Sequence, residues 1–150
     1  MTRSEQWELG GEFHWAGMPP GPFLSWPKPA VWFSLGRHAV LRLLEKPGER
    51  RTLWLPSYFC REVVQAWSVS TSIRFYEDDP RLSHPKWETI TPEPDDFVIA
   101  VNYFGMRDGA PWTEWSSRHS CVLIEDHSHD PHSVWARRSR ADYAFCSVGK

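Results

Sequence analysis

No stretch of the 150 residues approaches the ~20 consecutive apolar positions that a membrane-spanning helix needs. The opening "MTRSEQWELGG" has no apolar core and does not read as a signal peptide. Cysteine is scarce: Cys60, Cys121 and Cys146 are odd in number, far apart and without a Cys-x-x-Cys pair. That spacing argues against a zinc ribbon or a disulfide framework and for a reducing, cytoplasmic setting. Charge of one sign is lacking as well. With 17 Lys+Arg against 19 Asp+Glu the formal net charge is −2, so no global basic field invites nucleic acid or an anionic membrane. The local cluster Arg137, Arg138 and Arg140 reads as a solvated helix end or loop. Internal repeats, a Walker loop and a Ser-His-Asp spacing are absent too.

What is present describes one globular domain: 41% hydrophobic and 24% charged residues in a chain of ordinary domain length. Residues 1–33 read as an irregular arm rich in Gly, Pro and Trp, as in "HWAGMPPGPFLSWPKP". So much proline excludes a regular helix. The arm's Trp7, Phe13, Trp15, Phe23 and Trp26 need a surface to bury against, in the same chain or in a partner.

Residues 34–150 have a different texture. "SLGRHAVLRLLEK" offers Ser34 as an N-cap and spaces Ala39, Val40, Leu43 and Leu44 as on one helical face, until "PG" stops it. "TLWLP" predicts a buried strand, "CREVVQAW" a helix and "SIRFY" a second strand. Further strands are expected at Phe97–Val101, at Cys121–Glu125 and in "ADYAFCS". These are short continuous apolar runs separated by helices, the pattern of a mostly parallel sheet covered on both faces. The acidic, Pro-rich "DDPRLSHPKWETITPEPDD" is expected to wander over the surface. The fold class is α/β, and polar residues directly after its strands fall where such sheets bind ligands.

The chemistry concentrates in "VLIEDHSHDPHSVW", Val122 to Trp135, where Glu125, Asp126 and Asp130 surround His127, His129 and His132. Three readings stand open. Imidazoles and carboxylates can gather a metal, as in a metal-dependent hydrolase, but no helical His-Glu-x-x-His or distant ligand set accompanies them. A polar loop after a strand can be purely structural. Or Asp126, at the carboxyl edge of a buried strand, can point into a ligand crevice and pair with a cationic ring nitrogen. Two more elements favour this last reading. "FCSVGK" sets Ser147 three residues before Lys150, a phosphate-side hydroxyl beside an amine able to form a Schiff base. "SLGRHAV" puts Gly36 and Arg37 at a helix start, where free N–H groups and the dipole attract phosphate.

With "SLGRHAVLRLL", "LWLPSYFCREVV", "VIAVNYFG", "VLIEDHSHDPHS" and "ADYAFCSVGK" in that order, the chain resembles the N-terminal part of DegT/DnrJ-type sugar aminotransferases. These are fold-type I enzymes dependent on pyridoxal 5'-phosphate. The resemblance covers most of Ser34 to Lys150. It implies that Gly36 and Arg37 stand at the phosphate-binding turn, with Arg in place of the family's Thr. Asp126 then pairs with the pyridine nitrogen, and His129 lies against the ring face or its phenolic oxygen. Ser147 serves the phosphate and Lys150 is the Schiff-base lysine. The "PSYFC" segment matches the one that lays an aromatic plate over the ring, but Cys60 occupies that position, so Tyr58 or Phe59 must substitute. The spacing Ser-x-x-Lys also departs from many relatives.

The resemblance implies an amino donor such as glutamate, a keto-sugar nucleotide or related carbonyl acceptor, and a homodimer. Such enzymes continue past the lysine with the rest of the large domain and a small domain. The 150 residues therefore read as an N-terminal portion, expected to bind the cofactor poorly or not at all alone. A non-catalytic fragment is the competing expectation.

Overall fold

The central runs of the sequence become the centre of one sheet. In the computed structural model, residue 31 and residues 33–45 and 51–146 are described. The aromatic arm up to residue 30, Ser147 and Lys150 therefore lie outside the described residues. The elements are α1 (Gly36–Leu44), β1 (Thr52–Pro56), α2 (Arg61–Ser68), β2 (Ser72–Tyr76), β3 (Phe97–Val101), α3 (Ala110–Ser116), β4 (Val122–Asp126), α4 (Val134–Arg137) and β5 (Tyr143–Phe145). The five strands run parallel in the order β2-β1-β3-β4-β5.

Strand alternation sorts the apolar residues onto two faces. Leu53, Leu55, Phe97, Ile99, Val101 and Ile124 pack with Val40 of α1 and Trp67 of α2. Trp54, Val98, Ala100 and Leu123 pack on the other face with Trp112 and Trp115 of α3 and Trp135 of α4. Helices thus cover both faces, as the continuous apolar runs foretell. Each fully buried Leu, Ile or Val contributes roughly 1.5–3 kcal/mol. The hydrophobic stabilisation therefore sits in β1, β3 and β4, since the edge strands β2 and β5 are largely exposed.

Several expectations are corrected. Ser34 does not cap α1: the N-cap is Leu35, with no side-chain cap, and Ser34 Oγ lies 3.1 Å from His38 Nδ1 instead. The helix starts one residue too late for the Ser34 hydroxyl to meet its free amides. β4 runs one residue further than expected, so Asp126 is its last residue, paired with Val101. Two short helices, α3 and α4, were not foreseen. α3 has Pro111 in its first turn, and the Ser133 side chain caps α4 by accepting from Ala136 N–H. Arg137, Arg138 and Arg140 are exposed at and just beyond the end of α4.

The acidic, Pro-rich connection is partly internal. Asp78, Ile90 and Asp96 are buried. Asp96 accepts from the amides of Thr52 and Glu93 and from Trp54 Nε1, which ties the connection under β1. A buried carboxylate with that many donors is a fixed strut, whatever the composition around it.

Candidate functional site

In this strand order the chain leaves β1 for β2 on one side and then crosses to β3 on the other. A crevice opens at such a switch, beyond the carboxyl ends of the strands. Here it is a cleft of about 560 Å³. Its walls come from the start of α1 (Leu35, Gly36, Arg37), the segment after β1 (Tyr58, Phe59, Cys60), and α2 (Val63, Trp67). The ends of β3 (Val101, Tyr103, Phe104), β4 (Asp126, Ser128, His129) and β5 (Phe145) complete it. Residues singled out from three separate places in the sequence thus share one cavity. Tyr103, Phe104 and Ser128 were missed as lining residues. The signal was there, because "NYFG" directly follows a buried strand.

Asp126 points into the cleft because it shares the side of β4 that carries Ile124, while Glu125 goes to the opposite face. Its Oδ1 accepts from the Ser128 amide at 2.8 Å. Burial pushes the carboxyl above its ordinary value, opposed by the hydrogen bonding of Ser128 and by the nearby His129 and His127. A carboxylate so placed gains from a cationic partner in the cleft.

The start of α1 is fixed from outside: Trp67 Nε1 donates to the Arg37 carbonyl at 2.9 Å. No side chain caps α1, and Leu35, Gly36 and Arg37 at its start line the cleft. A Cβ on Gly36 would only reach ordinary contact with Phe145, at 3.6 Å. Glycine there is thus not demanded by the chain's own packing; the space it leaves belongs to the cleft.

The aromatic wall is continuous. Tyr58 lies edge-on to Tyr103, ring centres 5.8 Å apart, Tyr103 is tilted against His129 at 6.0 Å, and His129 stacks on Phe104 at 4.6 Å. Phe59 packs on Trp67 and belongs to the core of that face. Of the two aromatics offered in place of Cys60, Tyr58 is the one with a free face, being 55% exposed. Phe104 (φ 54°) and Gly105 (φ 70°) adopt left-handed backbone, and a Cβ on Gly105 would lie 2.2 Å from Asp130 Oδ2. That close approach fastens the turn after β3 to the loop bearing His129.

The three histidines go to three different surroundings. His127 is fully buried, 3.0 Å from Glu125 Oε2 through Nε2 and 3.2 Å from Asn102 Nδ2 through Nδ1. An Nε2–H tautomer satisfies both contacts. His129 lines the cleft and His132 is exposed. Among the described residues no group of three or more His, Cys, Asp or Glu is arranged to hold a metal ion.

Burial pushes the Cys121 thiol up to about 11. No helix among the described residues is long and apolar enough to cross a membrane.

Fold and cleft define an α/β parallel-sheet architecture with a crevice at its switch point. No protein-family model matches the chain, and no curated protein matches it.

Proposed function

We propose that the cleft binds pyridoxal 5'-phosphate and that the protein is an aminotransferase of the DegT/DnrJ type. It would move an amino group from a glutamate-like donor to a keto-sugar nucleotide or related carbonyl compound. The observation that carries this reading is the juxtaposition in one cleft of an uncapped helix start with Arg37, a buried strand-end carboxyl, and an aromatic wall. Those three features match, in turn, an anionic phosphate, a cationic ring nitrogen and a planar ring. A cleft of about 560 Å³ also lies in the ordinary size range of small-molecule sites.

The cofactor, when bound, supplies an electron sink for the carbanion that forms on loss of the substrate's proton. The chain's part is positioning and proton control. Arg37 and the first amides of α1 take the phosphate, with Ser147 as a further donor. Asp126 holds a proton on the ring nitrogen, and that positive charge in turn favours the ionised carboxylate that burial disfavours. His129, braced by Phe104, lies against the ring or its phenolic oxygen, and Tyr58 covers a ring face. Lys150 supplies the amine that anchors the cofactor and carries the proton from the substrate's carbon.

The test uses protein expressed from its complete reading frame, assayed for transfer from glutamate. Asp126→Ala should retain part of the cofactor and lose turnover by about 100-fold or more, the scale of a missing acid–base function. Near-normal turnover in that variant would remove Asp126 from its role.

A further inference from the structure

Behind the aromatic wall lies a buried ion pair that none of the roles above uses. Arg107 and Asp78 are 6% and 0% exposed, and the guanidinium meets the carboxylate in two parallel bonds of 2.9 and 2.8 Å. Its remaining donors reach the carbonyls of Asp79 and Leu82. Nε, Nη1 and Nη2 of the guanidinium are thus all tied within the chain, which fixes its plane.

What it touches next is the cleft. The guanidinium carbon stands 4.8 Å from the centre of the Tyr103 ring. The Tyr103 hydroxyl donates to the Tyr58 carbonyl at 2.7 Å. The Tyr58 amide in turn donates to the Asp78 carbonyl at 3.1 Å, and Ser57 Oγ donates to the same oxygen at 2.9 Å. The contacts form a closed circuit: Asp78 to Arg107, Arg107 to Tyr103, Tyr103 to Tyr58, and Tyr58 back to Asp78. Tyr58 is more than half exposed and has no packed core of its own to fix it.

We propose that Arg107 is a positioning residue for the cleft: locked by Asp78, it acts through Tyr103 to set the place of Tyr58. The inference rests on the reading of the cleft as a site for a planar, phosphorylated ring, because Tyr58 matters to such a ligand as its plate. A guanidinium tied in this way suits this use. It is rigid, permanently charged and planar, so it fixes a ring where a lysine would not.

Two variants test it in protein from the complete reading frame. Arg107→Lys keeps the charge and loses the fork; Tyr103→Phe keeps the ring and loses only the hydroxyl. Without ligand, the Tyr58 amide should exchange with solvent about tenfold faster in both variants, read by NMR, because a local tie has been loosened. Affinity for pyridoxal 5'-phosphate should fall about tenfold, a stacking-sized loss, while affinity for inorganic phosphate stays at the wild-type value. The double variant should lose no more than the worse single one, since both act through one path.

Equal losses for both ligands would mean general loosening and overturn the proposal. So would a Tyr58 amide indifferent to Tyr103→Phe. If Arg107→Lys does not fold, Tyr103→Phe decides alone. If the wild-type protein ignores pyridoxal 5'-phosphate, the reading of the cleft fails. The positioning of Tyr58 is then judged by amide exchange, which upholds it if faster and refutes it if unchanged.

Discussion

Asp126 illustrates how a single residue can be costly to the fold and still suit the site. Burial raises its folded-state value above the ordinary 3.8, so the protonated form is the one the fold favours. A carboxyl of this kind contributes its stability below the unfolded value and loses it as pH rises through the folded one. A negative charge on Asp126 without a cationic partner is therefore unfavourable. Asp126→Asn keeps an acceptor for the Ser128 amide without that charge. The ligand-free variant should melt a few degrees above the wild type at pH 7, and the advantage should shrink as pH falls through the raised value toward 3.8. An advantage that persists unchanged in acid would assign the gain to packing rather than to ionisation. Stability gained by giving up a site group is the expected trade.

At the scale of elements, the packing of α1 on α2 sets the helix start proposed to take the phosphate. Trp67 Nε1 ties the two by donating to the Arg37 carbonyl. Trp67→Phe should cost about 0.5–1.5 kcal/mol for the lost bond, with a further cost for the smaller ring. It should also weaken binding of inorganic phosphate, read by calorimetry; unchanged phosphate affinity would separate the helix start from the ligand.

The strands were legible in the sequence because five-residue apolar runs such as "TLWLP" and "FVIAV" carry burial on both faces in their composition. Phe97–Val101 was placed to the residue. Gly36, Arg37, Asp126 and His129 were legible as site candidates because strand ends and helix starts are where a parallel sheet exposes unsatisfied groups. α3 and α4, at seven and four residues, are too short to display a helical period. Asp78 and Arg107 look like any surface charges in the sequence. Only their meeting across 29 positions reveals them as buried.

For the whole molecule, the sheet and its cleft are compatible with the large domain of a fold-type I enzyme. The aminotransferase reading adds a homodimer. Light scattering of the protein from its complete reading frame should then give twice the monomer mass, and a monomer with full activity would contradict that part.

The central claim is more directly exposed at Lys150. Pyridoxal 5'-phosphate linked to an amine through a Schiff base is fixed in place by borohydride, and peptide mass analysis then identifies the residue that carried it. Arg could not form that link, and Ala has no nucleophile, so Lys150→Ala should lose the cofactor's absorbance band and transamination together. The account predicts the reduced cofactor on Lys150 and on no other lysine. Cofactor trapped on Lys46 or Lys86, or on no lysine of an active protein, would contradict it.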